Sequence, residues 1–304
     1  MVLLGPYISR ICFQRFFTWL ITSALEAMLG SLYAKIKPRH EDVMCTQQKI
    51  PVSVFIIAKD EADRIRDAID SVKDWVEEVI VVDSGSSDQT VKVAEEAGAR
   101  VVFNEWPGYG LQKRFGEDCC KNKWLLNIDA DERISATLAN EIQDVFRCGP
   151  DADIYKVHIV DVFPHEKTAK AWAYGYWQYR LYNREHGRFS DSSVHDTVRP
   201  EKSATIKKLK GKVDHRSQRS IAFTVDKLNR YSDMQVEDMQ RRGRRMSRIR
   251  LLTEFPIAFL KSYFIRRAFL YGWWGLVIAH NYAYSRFVRV AKQYEWSKLY
   301  NTSN

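Results

Sequence analysis

Three short apolar runs, each ending on acidic residues, constrain this chain more than any other feature. Val52 to Ala58 runs into Lys59-Asp60-Glu61, Val79 to Val82 into Asp83-Ser84, and Trp124 to Ile128 into Asp129-Ala130-Asp131. Continuous runs rich in β-branched residues suit strands buried on both faces, as in parallel sheets. Between them the period changes. From Glu61 to Trp75, the residues Ile65, Ala68, Ile69 and Val72 recur at helical spacing. Thr90 to Ala97 is a second helical stretch, with Gly98 as its stop. Arg100 to Phe103 adds a short third strand, which makes Trp124 to Ile128 the fourth. Alternation in such short units predicts an α/β fold, a mostly parallel sheet flanked by helices. Ligands of these sheets bind beyond the carboxyl ends of the strands. The three acidic clusters are therefore expected to face one crevice.

After Pro150 the alternation stops. Ile154 to Val162, Trp177 to Asn183 and the segment around Val194 read as antiparallel strands or long loops, and helical periodicity returns from Ile221 nearly to the end. The expected organisation is an N-terminal extension at 1–49, a catalytic domain at 50–220 and a helical region at 221–304. In the extension, only Phe16 to Leu25 is uninterrupted between Arg15 and Glu26. That is shorter than the ~20 residues of a spanning helix, so an interfacial or packed helix is expected, followed by a polar linker from Lys37 to Lys49. Met44 is an alternative start, because the core pattern begins only at Pro51. The five cysteines are an odd number with no C-x-x-C pair, which speaks against a disulfide framework or a zinc site and for a reducing compartment. A net charge of +9 favours an anionic partner.

Two aspartates one residue apart, just past a strand, suit a hard divalent cation such as Mg2+ or Mn2+. Such ions take oxygen ligands and leave positions for substrate phosphates. Asp83 is placed to accept hydrogen bonds from a base or ribose hydroxyl, with Asp88 serving as the helix cap and leaving Asp83 freer. Glu61 is either a first-turn acid or a nucleotide contact. Lys113 and Arg114 follow Gly108-Tyr109-Gly110 and either approach phosphates or form a solvated helix face.

Taken in order, Ile56-Ile-Ala-Lys-Asp-Glu-Ala-Asp-Arg-Ile65, Val81-Val-Asp-Ser-Gly-Ser-Ser-Asp-Gln-Thr90 and Trp124-Leu-Leu-Asn-Ile-Asp-Ala-Asp-Glu132 resemble the family-two inverting glycosyltransferases of GT-A fold. The resemblance spans about Pro51 to His215. It is strongest to bacterial lipopolysaccharide inner-core β-1,4-glucosyltransferases, on Lys-Asp-Glu-Ala, Asp-Ala-Asp-Glu-Arg133, Arg180-Leu-Tyr-Asn183 and Val194-His-Asp196. It implies a UDP-sugar donor, a lipid-linked saccharide acceptor with a heptose, and work at the cytoplasmic face of the bacterial inner membrane. It also implies that Ala58, Glu61 and Asp83 contact uridine and that Asp129 and Asp131 serve the diphosphate and metal. Asp60 stands where relatives often have Asn, and Asp196 where they often have Glu.

Inversion by direct displacement needs a general base near the acceptor hydroxyl. Asp196 is the candidate, with Glu132 and Asp191 as alternatives. His195 is a candidate metal ligand, and His215 competes for that role. In the C-terminal region, Arg241, Arg242, Arg244, Arg245, Arg248 and Arg250 precede a stretch rich in aromatics, in which Phe255, Phe259 and Tyr263 share the i,i+4 face of one helix. Basic, aromatic amphipathic helices suit an anionic membrane surface, with packing of the aromatic stripe on the catalytic domain as the next reading and nucleic acid behind both, so no nucleic acid is expected. A polyprenyl-phosphate or protein glycosyltransferase remains open within the class, and a non-catalytic membrane or nucleic-acid adaptor outside it.

Overall fold

The structure is a computed structural model that describes residues 48–170, 172–191, 196–243 and 247–300. The expected N-terminal helix and, in the middle of the chain, Val194 and His195 lie outside the described residues.

Strand β1 (Ile50–Ala58) is the centre of a parallel unit. It pairs on one side with β2 (Val76–Asp83) and on the other with β4 (Trp124–Asn127), and β3 (Arg100–Phe103) follows β2 at the edge. Successive side chains of a strand point to opposite faces. Val52, Val54 and Ile56 accordingly pack on one face with Ile65, Ile69, Leu138 and Ile142, while Phe55 packs on the other with Val82, Leu125, Tyr182 and Phe189. Each such side chain, fully buried, contributes roughly 1.5–3 kcal/mol. Burial on both faces is the physical reason the runs lack polar alternation.

Helix α1 (Ile65–Asp70) is shorter than its periodicity suggests. Asp60 adopts a left-handed φ of 55°. The segment Glu61–Arg64 then makes a turn rather than a helical start, with the Glu61 carbonyl accepting from the Arg64 and Ile65 amides. Helix α2 (Thr90–Glu96) ends as expected, with Gly98 at a φ of 96°. Helix α3 (Tyr109–Cys119) crosses the face that carries Phe55. It approaches so closely that a Cβ on Gly116 would lie 2.8 Å from the Phe55 ring.

Beyond β4 the sheet changes character. Its order is β3-β2-β1-β4-β7-β6-β10-β5. Strands β6 (Ile154–Asp161) and β7 (Gly175–Asn183) are an antiparallel pair, as the sequence suggests, and β7 also runs antiparallel to β4. Strand β5 (Glu132–Ile134), helix α4 (Ala136–Cys148) and strand β10 (Ile206–His215) are additional. Strand β10 lies between β6 and β5, in register to set His215 opposite both Asp161 and Glu132. A separate ribbon joins β8 (Gly187–Phe189) to β9 (Val198–Pro200).

After Arg216 the chain becomes helical: α5 (Ile221–Arg241), α6 (Arg250–Leu260) and the long α7 (Gly272–Tyr300). Helix α6 passes into a π-helical turn at Lys261–Ile265, and a short 3-10 turn at Ala268–Tyr271 leads into α7. Among the described residues, no helix is long and apolar enough to cross a membrane.

Helix α4 rests on β10 where a Cβ on Gly211 would come 2.4 Å from the Leu138 Cα. Gly211→Val should therefore lift α4 from the sheet at a cost of about 1–3 kcal/mol. Urea denaturation of the full chain measures this, and unchanged stability would show that the helix is free to shift.

Candidate active site

The carboxyl ends of β1, β2 and β4 bring Glu61, Asp83 and the Asp129–Asp131 loop to one edge of the sheet, as the acidic clusters suggest. The loop after β4 is tied down by Arg180 of β7, which the sequence does not single out for a role. Arg180 is only 1% exposed. Its guanidinium donates to Asn127 Oδ1 at 2.5 Å, to Asp129 Oδ2 at 3.0 Å and to Glu132 Oε1 at 2.6 Å. Leu181 pairs with Leu126, so the antiparallel register delivers Arg180 to the end of β4. Glu132 accepts the Asp129 amide through its other oxygen and is itself buried. That placement turns Glu132 inward as an anchor of the loop, away from any acceptor hydroxyl.

Lys113 points from α3 into the same network and is buried, not solvated. Its ammonium lies 2.9 Å from Asp129 Oδ1 and 2.8 Å from Asp196 Oδ2. Arg114, one residue on, turns away to the Phe189 carbonyl. Burial would raise the Asp129 pKa, yet Arg180 and Lys113 outweigh it and hold that carboxyl far below the usual range. Asp196 presents a side chain 38% exposed, and its second oxygen has no partner among the described residues. Asp191 is exposed.

Asp131 faces a different set. His215 Nε2 lies 3.5 Å from its Oδ2, and Arg64 Nη1 lies at 3.7 Å. His215 Nδ1 sits 2.9 Å from Asp161 Oδ1. Burial opposes charge on His215, but hydrogen bonds with Asp131 and Asp161 hold the imidazolium well above its ordinary pKa. Of the two candidate histidines, His215 is therefore beside Asp131, while His195 lies outside the described residues.

The nucleotide candidates are more heavily engaged than their sequence context suggests. The N-cap of α2 is Gln89, not the expected Asp88, which instead accepts from the Thr90 amide and hydroxyl and from the Ala62 amide and so ties the start of α2 to the loop after β1. Asp83, however, is not left free. Its Oδ2 accepts from the Gly85 and Ser86 amides at 2.8 and 3.0 Å, and its Oδ1 from the Ser86 hydroxyl, because the Gly85 turn (φ 84°) folds the loop back over it. Glu61 is held by Arg64 at 2.5 Å and by Arg219 at 2.8 Å. Ala58 is buried at the end of β1, where its carbonyl accepts the Ser84 amide. Asp60 takes the Ser87 amide in its left-handed conformation. Asp is one of the few non-glycine residue types that tolerate that conformation.

The Arg180–Glu132 contact is a buried ion pair, and removing one partner strands the other charge in the interior. Arg180→Met is expected to cost about 3–5 kcal/mol in urea denaturation, and less for Arg180→Met with Glu132→Gln. A loss under 1 kcal/mol in the single variant would contradict the anchoring role.

The chain is similar in sequence to known proteins. The Glycosyl transferase family 2 profile matches residues 53–205. An uncharacterized glycosyltransferase of Rickettsia felis is 40% identical over 250 residues, covering 79% of this chain and 88% of the relative. The lipopolysaccharide core biosynthesis glycosyltransferase LpsC of Rhizobium meliloti is 28% identical, covering 81% of this chain and 93% of that protein. Among solved structures, glucosyl-3-phosphoglycerate synthase from Mycobacterium tuberculosis, in complex with Mn2+, UDP and phosphoglyceric acid, is 24% identical over 39% of this chain and 45% of that one, with a TM-score of 0.31. A mostly parallel sheet with acidic strand ends and the Asp129–Asp131 loop thus belongs to a glycosyltransferase, and the chain is a member of glycosyl transferase family 2.

Proposed function

We propose that the protein transfers a hexose, glucose by resemblance, from a UDP-sugar to a lipid-linked saccharide, a heptose of the lipopolysaccharide core, with inversion. The observation that carries the reading is the row of groups along the strand ends: Asp131 beside His215, Asp129 gripped by Lys113, then Asp196 on the same ammonium. The name of the Rhizobium relative supports the choice of acceptor.

The donor set at Asp131 fits a divalent cation. The His215 Nε2 to Asp131 Oδ2 separation of 3.5 Å is close to the roughly 3 Å edge between neighbouring ligands of a small octahedral ion. Asp161 holds His215 Nδ1 and so fixes the ring with Nε2 toward Asp131, where a bound cation would take the place of the Nε2 proton. Among the described residues, no group of three or more such side chains closes on one point. A two-ligand protein site suits an ion that shares its coordination with substrate phosphates. Bound there, Mg2+ or Mn2+ would neutralise the diphosphate leaving group. Lys113 and Arg180 fix the orientation of Asp129 at its flank. Asp196, half open and hydrogen-bonded to Lys113 through one oxygen, accepts the proton of the acceptor hydroxyl through the other.

The C-terminal helices supply a surface for the lipid end. Exposures reach 77% at Leu252, 72% at Ile265 and 86% at Trp273, and Arg248, Lys261 and Arg267 lie exposed around them. This face differs from the expected Phe255–Phe259–Tyr263 stripe, which packs inward: Phe255 and Phe259 meet the His280 ring, and Tyr263 stacks on Phe259. Each basic residue near an anionic surface adds about 1 kcal/mol. The reading places the protein peripherally at the cytoplasmic face of the inner membrane.

Asp196→Asn should keep UDP affinity within about twofold while slowing transfer by about a hundredfold or more. Near-normal turnover would remove Asp196 from the mechanism. Chelation with EDTA, or Asp131→Ala, should abolish UDP release from UDP-glucose, with Mn2+ or Mg2+ restoring only the chelated wild type. Full activity in chelator would sink the metal assignment. In flotation with phosphatidylglycerol vesicles at low salt, the wild type should rise with the lipid and Leu252→Glu/Trp273→Glu should stay behind. A wild type that does not float would refute the membrane face.

A further inference from the structure

Next to the Asp131–His215 pair, the C-terminal helices enclose space that the donor site does not use. A cavity of about 450 Å³ has His215 in its wall. A second, of about 190 Å³, is walled by Asp161, Tyr174, Ser262, Arg266, Tyr271 and Asn281. The two share Gln218, Leu228, Tyr282 and Ser285 as lining, so they adjoin. Asp161, in the wall of the second, is the residue that holds His215.

Arg266 is the unusual member of this lining. Its guanidinium carbon lies 4.2 Å from the centroid of the Tyr282 ring and 5.0 Å from that of Tyr174, so two aromatic rings fix its position. Its Nε is buried without a hydrogen-bond partner, and among the described residues no carboxylate pairs with it. The orphan Nε is shared with Arg289, but the carboxylate pairing is not: Arg250, Arg286 and Arg289 all converge on Glu254, and Arg64 and Arg219 on Glu61. A guanidinium stacked on rings keeps its N–H edge for a planar or tetrahedral oxyanion, which it binds bidentately. Asp161 is the acid in the same wall, and its Oδ1 is engaged by His215 Nδ1 at 2.9 Å.

The surrounding backbone is built to hold this arrangement. The π-helical turn at Lys261–Ile265 ends at Arg266, and Arg267 follows in a left-handed conformation with φ 59°. A Cβ on Gly275 would lie 1.8 Å from the Ala268 carbonyl oxygen, so α7 presses directly on the elbow. A left-handed arginine crowds its Cβ against the following carbonyl, and the packing of α7 holds it there.

We propose that Arg266 binds an oxyanion carried by the acceptor, a sugar carboxylate or a sugar phosphate, and so selects acidic saccharides. The proposal rests on the glycosyltransfer reading and deepens it on the acceptor side. The test uses the full chain with Mg2+ and saturating UDP, titrated with glucuronate, glucose 6-phosphate and uncharged glucose. One of the two anions should bind at least tenfold more tightly than glucose, and which one identifies the anion. Arg266→Gln should lose that preference, Arg266→Lys should keep part of it, and Arg147→Ala, on the far helix α4, should bind as the wild type. Melting curves establish that each variant is folded. Should Arg266→Gln not fold, Arg266→Lys and the wild type still decide the matter. Anions bound no better than glucose, or an undiminished preference in folded Arg266→Gln, would overturn the proposal. Absence of UDP binding at the outset would instead count against the donor site.

Discussion

The guanidinium of Arg180 holds the site together. Among the described residues it is the only cation that reaches β4, the loop after it and β5 at once, through Asn127, Asp129 and Glu132. Charges this far from water are stable only when paired, because desolvation of a lone ion costs several kcal/mol. Arg180 and Lys113 face Asp129, Glu132 and Asp196, so the cluster is nearly neutral. Glu132 carries the greatest strain in this balance: burial pushes its carboxyl up and Arg180 only partly offsets it. The gain is orientation. With Asp129 clamped from both sides, Asp131 is turned toward His215 and Arg64.

The parallel half of the fold was legible because its strands are buried on both faces and so carry no competing period. Val52 to Ala58 and Val79 to Val82 could hardly be anything else. Strand β10 was not legible. Lys207, Lys208, Lys210 and Lys212 dominate it, and only Leu209 and Val213 among its larger side chains are buried. Helix α4 left a signal that could have been used: Ser135 caps it, and Leu138, Ala139 and Ile142 form its buried stripe.

The candidate site divides in the same way. The acids were legible because a strand end places whatever follows it. The cations were not, because their direction depends on tertiary partners. Lys113 and Arg114 are adjacent, yet only the first faces the acids. Arg180 is a charge at an inward position of a strand, which is itself a usable sign of a buried partner. His215 reaches Asp131 through the register of β10 against β5 and β6, which no local pattern encodes. In the C-terminal region, periodicity identified a helix face but could not say which neighbour would cover it. Helix α7 covers the aromatic face and leaves Leu252 and Ile265 outside.

The clasp between Glu61 and Arg219 joins residues 158 positions apart. Arg219 also grips Asp63 and the Asp60 carbonyl, immediately before Ser220 caps α5. Contacts so distant in sequence cannot form until most of the chain has left the ribosome. The first strand–turn–helix unit must therefore wait, with Glu61 short of one counter-charge, while the rest of the sheet is made. The clasp can close at the carboxyl end of β1 only after the last strand of the sheet, β10, has been made, so the crevice is completed later than the strands that line it.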